Sequence, residues 1–168
     1  MITTTGRRSS KPALRATALA ALAALAVALA ALLAGSCRVR VEPERRSDLR
    51  AKVVALARSL VGLPYRYGGA DIDGFDCSGL VHYVYSCFGI ELPRSAQEQA
   101  RLRRGRKSLA QAKAGDILLF KFGRRWHAAL YVGEGRFVHA PNERSPVREE
   151  RWSATWGERL KAIRAVLD

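Results

Sequence analysis

Phe75-Asp76-Cys77-Ser78-Gly79-Leu80-Val81 sets a cysteine where a glycine-rich stretch gives way to an apolar-periodic helix. Backbone N–H groups in a first helical turn have no intrahelical partner, and with the macrodipole they favour negative charge. A thiolate is therefore favoured at Cys77, and a neighbouring imidazolium would favour it further, so the thiol pKa is expected to fall below the ordinary value of ~8.5. Asp76 and Ser78 are both N-cap types, and Gly79 is expected to keep the approach to the sulfur open. Leu80, Val81, Val84 and Phe88 share the helix face of Cys77, so the helix packs inward with its first residue at the rim of the core. A lone cysteine in such a place is more often a buried structural thiol. Only its partners can make it a nucleophile.

The 168 residues carry 29 Lys+Arg against 15 Asp+Glu, a formal charge of +14. Arg7, Arg8, Lys11 and Arg15 fall in the N-terminal segment, and the remainder is still strongly basic. Such an excess suits a polyanionic setting. The basic residues are scattered, apart from Arg101 to Lys107, and lack the interleaved aromatics of a base-stacking surface, so nucleic acid is not the expected partner.

Residues 1–15 are basic without acids, and residues 16–34 are almost wholly Ala, Leu and Val, the pattern of an export signal over residues 1–36. Ala34-Gly35-Ser36 before Cys37 offers small residues for cleavage and resembles a bacterial lipobox, with Ala34 where that pattern usually has Leu. Three outcomes stay open, in this order: lipidation at Cys37, secretion after Ser36, or retention of the apolar stretch as an anchor near the minimum spanning length of about 17 residues. Residues 37–48 read as a charged tether containing Pro43, and residues 49–168 as one domain.

Asp48 is expected to cap a first helix on which Leu49, Val53, Leu56, Ala57 and Leu60 recur, with Gly62 and Pro64 stopping it. Tyr65 to Phe75 is glycine-rich and aromatic, a composition that lets backbone approach a ligand. The Cys77 helix follows and ends at Gly89. Ser95 caps a short helix through Gln99 to about Leu102. Ile117 to Phe120 reads as a buried strand, Ala128 to Val132 and Arg136 to His139 as a hairpin, and Ile163 to Leu167 as the last strand, with a turn or short helix after Trp152.

Three histidines remain. His82 lies about 140° around the helix from Cys77 and is expected at the surface. His127 and His139 stand at the same end of the hairpin. A three-residue connection, Gly133 to Gly135, pairs 129 with 139 and makes the two histidines diagonal neighbours roughly 7 Å apart on one face. A two-residue turn would pair 130 with 139 and separate them, and the two glycines suit the longer turn. Cys77 with His127 as base and His139 as orienting ring is a nucleophilic constellation. Zinc is the competitor for these three residues, but no C-x-x-C or H-E-x-x-H is present, so neither metal nor other cofactor is expected. Cys87, flanking the buried helix face, is expected to be a buried free thiol.

Gly62-Leu63-Pro64-Tyr65-Arg66-Tyr67-Gly68-Gly69, then the Cys77 stretch, Leu92-Pro93-Arg94 with Gln99, Ala114-Gly115-Asp116-Ile117, His127 with Leu130-Tyr131-Val132-Gly133, and Phe137-Val138-His139-Ala140 together resemble the NlpC/p60 family of bacterial papain-like cell-wall peptidases. The resemblance covers about residues 49–166. It implies an α+β, papain-like fold with helices packed against a central antiparallel sheet. It implies hydrolysis of the γ-D-glutamyl to diamino-acid (meso-diaminopimelate) bond of peptidoglycan stem peptides, with Cys77 as nucleophile, His127 as base and His139 as third member. By the same resemblance Tyr65 helps bind substrate or oxyanion, and Asp76 and Ser78 hold the free N-terminus of the stem. Trp126 and Ala128-Ala129 depart from the small residue and the Val-Gly expected around the base, which bears on the groove and not on the class.

The expected protein is an exported, lipid-anchored monomer of the cell envelope, acting on the periplasmic or wall side. Two rivals stand beside it: a wall-associated lipoprotein without turnover, and an amidase or acyltransferase using the same Cys-His site on another acyl group.

Overall fold

Ile117-Leu118-Leu119-Phe120 is an unbroken apolar run because its strand is covered on both faces. The computed structural model describes residues 41–168, so the expectations for residues 1–36 and for Cys37 lie outside the described residues. The elements are α1 (Val41–Ser59), β1 (Ala70–Asp71), β2 (Gly74–Phe75), α2 (Cys77–Ser86), α3 (Ala96–Gln99), β3 (Gly105–Arg106), a 3-10 turn at Leu109–Gln111, β4 (Ile117–Phe122), β5 (Arg125–Gly133), β6 (Arg136–His139), β7 (Arg148–Arg151), α4 (Ala154–Arg159) and β8 (Leu160–Arg164). β1 and β2 form a small ribbon, and the other six strands form one antiparallel sheet in the order β3-β8-β4-β5-β6-β7. The fold is α+β with helices against an antiparallel sheet, as the sequence implied.

Alternation along β4 sends Ile117 and Leu119 to one face and Leu118 and Phe120 to the other, all four fully buried. The first face packs on Val53 and Ala57 of α1 and on Leu80, Val81 and Val84 of α2. On the second face, Leu118, Phe120, Ala129, Tyr131, Phe137 and Ile163 are covered by Leu109, Trp152, Trp156 and Leu160. Full burial of each such side chain contributes about 1.5–3 kcal/mol.

The first helix begins at Val41 and not at Asp48, so the segment read as a tether is helical from Val41 onward. Pro43 stands in the first turn, where a backbone N–H has no partner to lose. Asp48 lies inside the helix and pairs with Lys52 at 2.7 Å, one turn on. The hairpin also differs in detail. Glu134 and Gly135 make a two-residue turn with positive φ at both positions (52° and 66°), and Gly133 pairs with Arg136. A register shift between Tyr131 and Gly133 absorbs one residue as a bulge, after which Tyr131 faces Phe137 and Leu130 faces Val138. This is the register expected of the longer turn, reached by another route.

One buried ionic knot ties α1 and the C-terminal Asp168 to the sheet. Asp116, fully buried at the start of β4, has Oδ1 3.2 Å from Arg50 Nη1, and its Oδ2 meets Arg106 Nε and accepts from the Lys113 amide at 2.9 Å. Arg50 and Arg106 reach on to Asp168 at 2.7 and 2.6 Å. Beside it the buried Tyr85 hydroxyl donates to the Gly115 carbonyl. Asp116→Ala removes the fully buried carboxylate between two largely buried guanidinium groups and leaves them Asp168 alone as a counter-charge, and urea unfolding should show a loss of about 3 kcal/mol.

Candidate active site

The helix α2 starts at Cys77 because Asp76 caps it. Its Oδ1 accepts from the Gly79 amide at 2.7 Å, the Ser78 hydroxyl at 3.1 Å and Arg94 Nη1 at 2.9 Å, and its Oδ2 accepts from the Gly68 amide at 3.1 Å and Arg94 Nη2 at 2.6 Å. Burial by itself would raise this carboxyl. Hydrogen bonds from Arg94 and the Gly79 amide, with the guanidinium charge and Ser78, outweigh that and hold it below the usual carboxylate range. The Gly69 carbonyl packs so close to Gly79 that a Cβ there would overlap it, and Arg94 Nη2 donates to the same carbonyl at 3.0 Å. Gly79 therefore serves the packing of the glycine-rich loop on the helix, and not the open approach to sulfur expected of it. Ser78, buried beside Asp76, offers its carbonyl to Gln99 Nε2 at 3.1 Å, which ties α3 to the first turn of α2.

Cys77 is half-buried, and its sulfur is held by N–H groups of Ala128, Ser78 and its own backbone. The Ala128 amide is the peptide that follows His127. On β5, Ala128, Leu130 and Val132 face the helices, whereas His127 packs with Phe120, Phe122 and Trp156 on the other side. Cys77 packs on the helix-side core with its sulfur at the amide that follows His127, while the two histidine rings lie on the other face of β5. His127 Nε2 is 2.8 Å from His139 Nδ1, with ring centroids 5.1 Å apart and nearly perpendicular. The two rings share a face, as the hairpin register required.

The structure overturns the expected ionisation. Burial pushes the Cys77 thiol up, the Asp76 carboxylate pushes it the same way, and the three N–H groups oppose without prevailing. Burial, followed by the charge of His139, pushes His127 down to about 3, while Glu150 works weakly against this. Burial and then Arg148 push His139 down to about 3. The resting pair is a neutral thiol and a neutral imidazole, because desolvation exceeds what one helix terminus supplies.

Tyr65 is half-buried, bridges to Phe75, and titrates above its usual range through burial first and then through the charges of Cys77 and Asp76, which places it near Cys77. Trp126 packs on the helix-side core, with Lys121 Nζ 5.4 Å from its ring centroid. His82 is not free at the surface: it is half-buried, with Nδ1 2.8 Å from the Leu92 carbonyl. Cys87 is exposed and not buried, because it caps the C-terminus of α2, past the last buried turn. Among the described residues, no group of three or more His, Cys, Asp or Glu is arranged to hold a metal, and no helix is long and apolar enough to cross a membrane.

Two site residues were not foreseen. Trp156 of α4 stacks on His127 (6.1 Å, 28°) and meets His139 edge-on (5.3 Å, 87°), so that His139 is fully buried and His127 half-buried. Glu150 of β7 brings Oε2 to 2.7 Å from His139 Nε2. A six-residue helix and a strand reading Arg-Glu-Glu-Arg carry no motif that would have marked them.

Residues 62–165 match the model of the NlpC/P60 family, and the chain belongs to that family. It is 32% identical over 125 residues to the murein DD-endopeptidase MepS/murein LD-carboxypeptidase of Escherichia coli K12, spanning 73% of this chain and 66% of that protein. It is 38% identical over 93 residues to the γ-D-glutamyl-L-lysine dipeptidyl-peptidase of Bacillus subtilis, spanning 53% of this chain and 31% of that protein. Among solved structures, the NlpC/p60 domain of the peptidoglycan hydrolase SagA superposes with a TM-score of 0.60 at 33% identity, over 69% of this chain and 97% of that one.

The raised thiol sets a pH signature. Alkylation of Cys77 by iodoacetamide should run slower at pH 7 than that of a free thiol, and should rise through a midpoint above ~8.5, the reference for cysteine. A midpoint well below that value would restore the thiolate-imidazolium pair.

Proposed function

We propose that this protein is an exported cysteine peptidase that hydrolyses the γ-D-glutamyl to diamino-acid bond of peptidoglycan stem peptides. The observation that carries the reading is the thiol of Cys77 seated on the amide after His127, whose far ring nitrogen is bonded to His139. His127 Nδ1, the nitrogen not engaged by His139, takes the thiol proton as sulfur attacks the scissile carbonyl. Charge develops on the carbonyl oxygen, where the Cys77 backbone N–H and the Tyr65 hydroxyl supply donors. The imidazolium then protonates the leaving amine, and water, deprotonated by His127, releases the acyl group from sulfur. Asp76, saturated by the chain's own donors, serves mainly to fix the helix start, with Ser78 at the edge of the stem-peptide site. The γ-D-glutamyl bond is favoured by the Bacillus relative, while the Escherichia relative is named for a different bond in the same polymer.

Mass spectrometry of products from purified muropeptides separates these outcomes. Wild-type protein should release the dipeptide from uncrosslinked stems. Cys77→Ala and His127→Ala should fold normally and lose at least ~100-fold in rate. His139→Gln should keep part of the activity, and His82→Ala should keep nearly all of it, with stability lower by about 1 kcal/mol for the lost tie to Leu92. Cleavage confined to crosslinked dimers would move the scissile bond. Intact muropeptides with a reactive Cys77 would turn the assignment toward another acyl substrate.

The same reading has Cys37 lipid-modified and the domain held at the envelope as a monomer. Cys37→Ser should abolish acyl labelling and release the protein from membrane fractions. Continued membrane attachment of the variant, with its leader uncut, would make the apolar stretch the anchor instead.

A further inference from the structure

His139 is fully buried, with Phe137 5.2 Å and Trp156 5.3 Å away, and it touches polar groups at its two nitrogens only. Nδ1 meets His127 Nε2 at 2.8 Å. Nε2 lies 2.7 Å from Glu150 Oε2, a distance at which the two would bond, yet the present geometry makes no hydrogen bond and leaves both buried atoms without a hydrogen-bond partner. Strand pairing makes the contact possible: Phe137 stands opposite Glu150 and His139 opposite Arg148, so Glu150 is the diagonal neighbour of His139 on the same face. Arg148 Nη2 is 3.3 Å from Glu150 Oε1 and keeps the outer oxygen occupied.

Two hydrogen-bonded neutral imidazoles can share their protons in two ways. In one, His139 carries its proton on Nδ1 and donates to His127, which then carries its own on Nδ1 and has no lone pair for a thiol. That arrangement also turns a bare His139 Nε2 toward a carboxylate, lone pair against lone pair. In the other, both rings are protonated on Nε2. The Glu150 carboxyl oxygen then accepts from His139, and His139 accepts from His127.

We propose that Glu150 is a positioning residue that sets the tautomers of both histidines: by holding the His139 proton on Nε2, it makes His139 Nδ1 the acceptor for His127 Nε2–H and leaves His127 Nδ1 bare to receive the Cys77 proton. The assignment rests on His127 as the base for Cys77, and it adds Glu150 behind His127 and His139, with Trp156 packed against both rings. A group of this kind touches no substrate. It acts on the fraction of molecules in which the base is correctly protonated, so its removal lowers kcat and leaves KM almost unchanged.

Long-range 1H–15N correlation spectra of the 15N-labelled protein at pH 7 read the tautomers directly. Both His127 and His139 should be Nε2–H in the wild type. Glu150→Ala should introduce the Nδ1–H form of His139 and lower kcat on muropeptides by about 10–100-fold with KM changed less than about twofold. Glu150→Gln, whose amide oxygen can take the same N–H, should recover part of both. A wild-type His139 protonated on Nδ1 would overturn the proposal, as would an alanine variant with unchanged spectrum and rate. The wild-type spectrum depends neither on a variant's folding nor on which bond is cleaved, so failure of the substrate assignment is read separately, from the muropeptide products.

Discussion

The carboxylate of Asp76 is the constraint on which the site depends. It gathers the amides of Gly68 and Gly79, the hydroxyl of Ser78 and both Nη atoms of Arg94, and in doing so it ends the glycine-rich loop, starts α2 and fixes where Cys77 falls. An Asp at an N-cap is common, and a capping bond alone contributes about 1 kcal/mol. Here the bidentate Arg94 adds a neutralising charge. That lets the carboxylate sit largely out of water while staying ionised.

This solution conflicts with the chemistry next to it. A negative group one residue before Cys77 disfavours a thiolate, and burial of the thiol disfavours it more. The first turn of α2 supplies N–H groups to the sulfur, but not enough to reverse the balance. On the proposed mechanism the pair therefore rests uncharged and ionises only at attack, when the thiol proton moves to His127. On that mechanism a neutral pair needs an imidazole with its lone pair already available to the thiol. The aromatic enclosure by Phe120, Phe137 and Trp156, which keeps both rings neutral, makes the choice of tautomer matter as much as the choice of residue.

Sequence reasoning reached the features set by short-range periodicity. The face of α2, the buried run of β4, the Ser95 cap, and the pairing of His127 with His139 all follow from spacings of 3.6 and 2. The features it missed depend on distant contacts. β1, β2 and β3 have two residues each, too few for any period to show. Pro43 looks like a break and is tolerated because it lies in a first turn. Glu150 reaches His139 only through the β6–β7 register, which follows an irregular connection whose length does not reveal the pairing. Burial, which decides the ionisation of Cys77 and His127, is a property of the assembled layers and has no local mark.

The bulge in the β5–β6 hairpin makes its two arms unequal in the changes of length they tolerate. Val132 is the residue absorbed by the register shift, so a deletion there would leave Gly133 opposite Arg136 and Tyr131 opposite Phe137, and the two histidines would keep their shared face. On the other arm nothing is held in reserve. Loss of one residue between Arg136 and His139 would bring the ring opposite Leu130 and turn it toward the helices, breaking its contacts with both His127 and Glu150 at once. Insertions and deletions compatible with activity should therefore accumulate on the β5 side of the turn, while β6 keeps a constant length from the turn to His139.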